Sequence, residues 1–375
     1  VFTSIFKSTF AAALLLTAAP AFAQTTELEF EGQTWSAGQS EGSVFRVEEY
    51  LGRPALFLRR NGAGLVGEEF GDMVIEYEYA STHPSGFIGV NFRVDSETSN
   101  LEQFYTRPHQ SGQPDATQYM VLTNGSATWQ LHAGPNEAVA TDLPAQTWIK
   151  VRIVAVGDKA DIFVGDMETP LIHVPDLRST SASGQVSLYA SDRPWMLETG
   201  AYFSNINIRA ATSEDQIIGT PRETEPQPDT LIRSFEVSAP FQEDKISSVV
   251  ALSDLEMPLD NWTELAVEND GVANLARLSP IQDDKNTALV RMQFDSDGSD
   301  TRMLKFGYSD RVRLYVDGQL VYAGNAQWRS RDHRFLGTVA LVDSVALHLK
   351  PGTTEVIAAV SESFGGWGFK AALAD

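Results

Sequence analysis

The stretch FYTRPHQSGQPDATQYMVLTNGSATWQLHAG, Phe104 to Gly134, gathers aromatic rings, an arginine, two histidines and several glutamines around a single acidic residue, Asp115. Planar amides and guanidinium groups form paired hydrogen bonds with neighbouring hydroxyls, and tyrosine rings stack on the C–H faces of sugars. Such a set suits a neutral, polyhydroxylated ligand. The residues there that can move a proton are His109, Asp115 and His132, though a His in a Pro-flanked loop such as His109 is more often a surface residue than a base. No HExxH, nucleophile elbow or phosphate loop occurs in the chain.

Three further groupings could carry chemistry. Glu76 and Glu78 in VIEYEYA stand about 6.6 Å apart on one side of a strand. That spacing falls within the range of paired glycosidase carboxylates, but the same alternation describes an outer strand with one solvated side. FDSDGSD places Asp295, Asp297 and Asp300 around a glycine, either a Ca²⁺ ligand set or an acidic hairpin loop; the Glu that closes a helix–loop–helix calcium site is missing. In WRSRDHR, Trp328, Arg329, Arg331, Asp332 and Arg334, joined by Trp367 after Gly365-Gly366, form a basic and aromatic loop set. It could grip a sugar or tie two domains together by ion pairs.

The elements that must position these residues read as strands. From Thr26 to Arg209, MVIEYEYA, FIGVNFRV, TQYMVLT, WIKVRIVAV, ADIFVG, GQVSLYA and YFSNINI alternate with period two, with turn residues between. Asn124-Gly125 predicts a tight hairpin. Thr123 then pairs with Ser126, Val121 with Thr128, Tyr119 with Gln130 and Thr117 with His132. The alternate pairs, Leu122 with Ala127, Met120 with Trp129 and Gln118 with Leu131, are mostly apolar and are expected to face the core. Sorting the neighbouring strands the same way predicts an outward face of Asn91, Arg93, Gln103, Tyr105, Arg107, Tyr119, Gln130 and His132. A solvated face kept polar for solubility is the competing reading.

Composition bounds the rest. A formal net charge of −22 over 375 residues disfavours nucleic acid and anionic lipid as partners. Cysteine is absent, which removes thiol chemistry and disulfides. Residues 1–23 read as a secretory signal, with Lys7, an apolar segment and Ala21-Phe22-Ala23, so a periplasmic or extracellular location is expected. No apolar run approaches membrane length. Residues 26–209 are expected to form one β-sandwich, 210–230 a Pro/Glu-rich linker, and 231–375 a second sandwich, in which Asp317-Gly318 marks a hairpin.

The phrases FYTRPHQSGQPDATQYMVLTNGSATWQLHAG, WIKVRIVAVGDKADIFVGD and YFSNINIR resemble the laminin-G-like branch of the concanavalin A-like lectin and glucanase superfamily. They are close in style to the 3-keto-disaccharide hydrolase domain. FGYSDRVRLYVDGQLVYAGNAQWRSRDHRFLGTVAL and VSESFGGWGFKAAL resemble a galactose-binding-like jelly roll. The resemblance implies an all-β fold with two jelly-roll sandwiches and a saccharide on the first one's sheet face; no cofactor is required, and the carboxylates of FDSDGSD leave a Ca²⁺ ion possible. The glucanase acidic motif is not complete, since Ala80 stands where its third acid belongs. Three readings follow: a carbohydrate-binding protein, a hydrolase of keto-sugar glycosides acting on the same face, or an envelope scaffold that contacts another protein.

Overall fold

A computed structural model of the protein describes residues 25–193 and 196–374; the expected signal segment lies outside them. The described chain is built from antiparallel strands, with single 3₁₀ turns between some of them. No helix among the described residues is long and apolar enough to cross a membrane.

Alternation does what the sequence predicts: one side of each strand is apolar, so the sheets must pair face to face. In the first sandwich one sheet runs Thr25–Phe30, Gln33–Gly38, Asn61–Leu65, Gln185–Ser191, Phe87–Asp95, Asn100–Thr106, Thr117–Thr123 and Ser126–Ala127 in spatial order. The facing sheet runs Ile172–Val174, Lys159–Val164, Ile149–Val156, Met73–Ser81, Gly200–Ala210, Arg53–Arg59 and Val44–Tyr50. Trp35, Tyr77, Phe92, Phe104 and Phe203 fill the space between them. In the second sandwich a sheet of Trp262–Ala266, Ser234–Ser238, Thr287–Ser296, Gly352–Ser361, Arg311–Val316 and Gln319–Asn325 packs on one of Ala273–Asn274, Gly368–Ala374, Asp300–Ser309 and Asp343–Leu349. Phe235, Phe306, Tyr308 and Phe369 lie in its core. Trp367 is there too, 1% exposed, with its indole N–H donated to the Val360 carbonyl. It is a core residue and not part of a ligand loop, because its strand turns inward directly after the glycine pair.

Both dipeptide turns form as expected, with positive φ at Asn124, Gly125, Asp317 and Gly318. Thr123 faces Ser126 and Leu122 faces Ala127, but there the first ladder stops. The Thr128 hydroxyl takes over the pairing, accepting from the Val121 N–H at 3.3 Å and donating to the Val121 carbonyl at 2.8 Å. The chain then turns away, and Ala138–Val139 occupies the place beside Gln118 and Thr117 that residues 131 and 132 were expected to fill.

The face assignment of this strand is reversed. Phe104 faces the core as predicted, and Tyr119 lies directly opposite it, so Tyr119 is in the core as well. Its hydroxyl donates to Glu102 Oε2 at 2.7 Å. The neighbouring strand, and not the hairpin partner, sets the parity. Arg93 also leaves the expected face. It sits at positive φ beside a β-bulge, and its guanidinium donates to the carbonyls of Gly71 and Gly157. A bulge inserts one residue and so re-aims a side chain. The 210–230 segment is no free tether: Ile218 and Gly219 donate their N–H groups to Asp161, and Arg222 donates to the carbonyls of Pro135 and Leu171.

Replacing Tyr119 by Phe removes a donor from a carboxylate that is 0% exposed. The expected cost is about 1–3 kcal/mol in urea unfolding, with no direct effect on any ligand. A variant as stable as the parent would contradict this placement.

Candidate functional site

The outward face of the first sheet can be read row by row from its register. Ser187, Asn91, Gln103 and Met120 stand side by side on four adjacent strands, and Tyr189, Gly89, Tyr105 and Gln118 form the next row. Asn91 and Gln103 are thus neighbours, as predicted, with Tyr105 one row away.

Across the first row the polar groups are chained. Gln103 Nε2 donates to Asn91 Oδ1 at 2.6 Å, and Asn91 Nδ2 donates to Ser187 Oγ at 3.1 Å. Each amide is thereby fixed in orientation and still has hydrogen-bonding capacity left over. Tyr189 stands between Gly62 and Gly89, which carry no side chain on either flank. At Gly89 a Cβ would fall 2.1 Å from the Phe104 carbonyl oxygen, so the bare backbone there is a steric requirement of the sheet.

The second half of the face is already filled. Arg107 donates to the Tyr105 hydroxyl at 2.8 Å and to Gln118 Oε1 at 2.6 Å, and its guanidinium lies 4.8 Å from the Tyr105 ring centroid. Arg107 and Tyr105 are buried at 6% and 3% exposure, and Gln118 is closed over by the Trp129–His132 turn through its bonds to the Trp129 and His132 carbonyls. Phe87 lies beside Tyr105 at 6.0 Å and beside His109 at 5.2 Å. His109 lies at the rim of this face, beside Phe87. Burial holds it below its ordinary pKa, and its Nδ1 lies 3.0 Å from the Gly86 carbonyl. Asp115 engages Arg107, 3.5 Å away.

Gln130 and His132 are not on this face. They lie in the contact between the two sandwiches. Gln130 donates its N–H to the Gly365 carbonyl and its Nε2 to the Leu336 carbonyl, while its own carbonyl accepts from the Val339 N–H. His132, 0% exposed in its side chain, has Nδ1 2.5 Å from Asp270 and Nε2 3.0 Å from Glu268. These three are the one group among the described residues whose donor atoms converge as a metal site would need. Arg178, however, already stands 3.8 Å from Glu268 and 3.7 Å from Asp270, and Arg277 binds Glu268 at 2.5 Å. With Glu137 on Arg178, three carboxylates face two guanidinium groups and one imidazole, a set that is neutral when His132 is protonated. The arrangement is an ionic clasp.

The remaining sequence candidates are scattered. Asp295, Asp297 and Asp300 are exposed in their hairpin; Asp295 accepts from Thr353 and Asp300 binds Arg302. In the basic loop, Arg331 is paired with Asp343, Arg334 with Asp332, and Arg329 stacks on Trp328 at 4.1 Å. The arginines therefore do not tie the sandwiches together; the loop's backbone at Leu336 and Val339 does. Glu78 binds Arg53 and Glu76 accepts from Asn207, on the outer side of the opposite sheet. An open depression of about 530 Å³, lined by Ser234, Glu236, Glu264, Arg291 and Gln293, lies away from all of these. Sequence reasoning missed Ser187 and Tyr189, whose outward parity GQVSLYA does carry. It also missed Glu268 and Asp270, which no local pattern singles out.

No protein-family model matches the chain, and no curated protein does. Among solved structures, carbohydrate binding module CBM66 from Bacillus subtilis aligns at 17% identity over 50% of this chain and 93% of its own, with a TM-score of 0.32. A Bacillus subtilis protein of galectin-like fold aligns at 9% identity over 46% and 88%, TM-score 0.34. The cellulose induced protein Cip1 aligns at 7% over 45% and 87%, TM-score 0.33. Likeness at this level carries no functional argument.

The clasp has a defined pH signature. Burial and Arg178 push the His132 pKa down, but the hydrogen bond to Asp270 and the Glu268 carboxylate 3.0 Å away outweigh them and raise it above 6.5. Its stabilisation is complete below that ordinary value and is lost as pH rises through the folded one. Despite burial, His132 and the arginines lower Glu268 from 4.5 and Asp270 from 3.8, each to about 2. Their contribution holds above the ordinary values and is lost as pH falls towards about 2. Thermal melts of the parent should therefore fall between pH 6 and 9, and the fall should flatten in His132→Gln. An equal slope in both proteins would rule the clasp out.

Proposed function

We propose that the protein is an exported carbohydrate-binding protein that holds a neutral saccharide on the outward face of its first sheet. The observation that carries this reading is the chained row Ser187–Asn91–Gln103 beside Tyr189, a ring flanked by two glycines. Fixed amides suit a pair of sugar hydroxyls, and an aromatic ring with bare backbone on both sides leaves space for a sugar ring to stack. Export is supported by the signal-like residues 1–23.

The test is a glycan array followed by calorimetry with the glycans it selects. Asn91→Ala and Gln103→Ala are expected to weaken binding about tenfold or more; Asn91→Ala, which removes a buried amide bonded to Ser187 and Gln103, should also lower the melting temperature, and Gln103→Ala less so. Parent-like affinity in both variants would refute the site.

A hydrolase acting on the same face is the second reading, and His109 favours it. Held neutral beside Phe87, its imidazole is able to accept a proton at neutral pH. Release of free sugar from oxidised disaccharides, abolished in His109→Asn, would favour this reading over binding alone.

A further inference from the structure

The loop Ser363–Gly366 belongs to the second sandwich but is pressed onto the first. Its docking leaves no room for side chains at two positions. A Cβ on Gly365 would fall 1.6 Å from Gln130 Oε1, and one on Gly366 would fall 2.7 Å from Leu131 Cγ; both glycines have positive φ. From behind, two buried carboxylates hold the loop. Asp310 accepts the Ser363 N–H at 3.0 Å, and Glu362 accepts the Gly366 N–H at 3.3 Å. Arg311 donates to the Ser363 hydroxyl at 2.9 Å. Asp310 is 2% exposed and Glu362 0%. Burial raises the pKa of both, so this anchorage is kept at a local cost.

What the anchored loop presents is Phe364, a phenyl ring left 38% exposed. It lies 6.0 Å from Trp129 and 5.6 Å from the Arg193 guanidinium. Arg193 also lies 5.5 Å from Phe87, the aromatic at the end of the first sheet's outward face. Phe87, Arg193 and Phe364 thus form a continuous line that leads from that face onto the second sandwich. A rigidly held, solvent-facing aromatic at the edge of a polar face is a preorganised contact, because no ordering cost remains when a ligand arrives.

We propose that Phe364 is a ligand-contacting residue of the saccharide site, so that the site is shared by both sandwiches and selects an oligosaccharide over a single sugar. The length follows from the register. Asn91 and Phe87 are four residues apart on one strand, about 13 Å, and Phe364 lies beyond Phe87 across Arg193. A ligand that touches both the amide row and Phe364 is longer than one hexose ring. This inference rests on the saccharide reading of the face.

The experiment is calorimetry of the whole chain with mono- to hexasaccharides of the cello-, laminari-, xylo- and malto- series. The parent should bind longer members of one series more tightly. Phe364→Ala and Phe364→Leu should each lose about tenfold or more on the long members, keep the parent's affinity for the short ones, and melt as the parent does; Phe364→Trp should retain the gain with length. If Phe364→Ala matches the parent at every length while Asn91→Ala does not, the inference falls and the saccharide reading stands. An equal loss at every length would also overturn it, since Phe364 would then not act as a distal contact. If the parent binds no member of any series, or Asn91→Ala binds as the parent does, the underlying reading falls and the inference with it.

Discussion

The arrangement of the two sandwiches depends on a polar segment that has left its sheet. Once Thr128 caps the Thr117–Thr123 strand with its own hydroxyl, the N–H groups of Leu131 and His132 turn back onto the Thr128 carbonyl, and the backbone groups of Gln130 have no ladder to join. Buried N–H and C=O groups without partners cost too much to leave so. The second sandwich supplies what is missing: the Gly365 carbonyl, the Val339 N–H and the Leu336 carbonyl all bond to Gln130. Leu131 meets Val272 and Val339 in a small apolar cluster. Asn124, at the tip of the same hairpin, donates to the Ala276 carbonyl. The hairpin is therefore a plug, and each of its unsatisfied groups finds a fixed socket.

The ionic clasp adds direction to that contact. Removing charges from water is costly, and a buried ion pair rarely gains much over a well-packed apolar one. What such a pair does well is penalise the wrong register, because any slip strands a charge. Here Arg178 and His132 come from the first sandwich and Glu268 and Asp270 from the second, so both sides would be stranded together. In a chain with a net charge of −22, concentrating two arginines and a histidine at one contact also offsets repulsion between two acidic bodies.

The fold was legible because period-two alternation is a local signal, and Asn-Gly and Asp-Gly encode positive φ within two residues. The outward positions of Asn91, Gln103 and Tyr105 followed from the same parity. Parity failed where a non-local neighbour decided it. Met120, Trp129 and Leu131 made the wrong row of the hairpin look like the core, yet Tyr119 is bound to the Phe104 strand and goes inward with it. Arg93 was misplaced by a bulge, and Trp367 by a turn whose exit direction no dipeptide specifies. The clasp was invisible for a related reason: His132, Arg178 and Asp270 are brought together only by docking, and their sequence separations carry no pattern.

The misreading bears on where a ligand can lie. Had Tyr119, Gln130 and His132 faced outward, the site would have sat at the edge of the first sheet, on the strand farthest from its centre. In the structure that edge is occupied by the second sandwich, and the polar row moves inward to the half-buried Ser187 and Gln103 and the buried Asn91 on three adjacent central strands. Central strands are held on both sides by ladders, so their side chains are placed with less freedom than those on an edge. The amides there also restrain one another. The docked hairpin, by closing one flank and bringing a loop of the second sandwich to the rim, gives the face an end that the first sandwich alone does not possess.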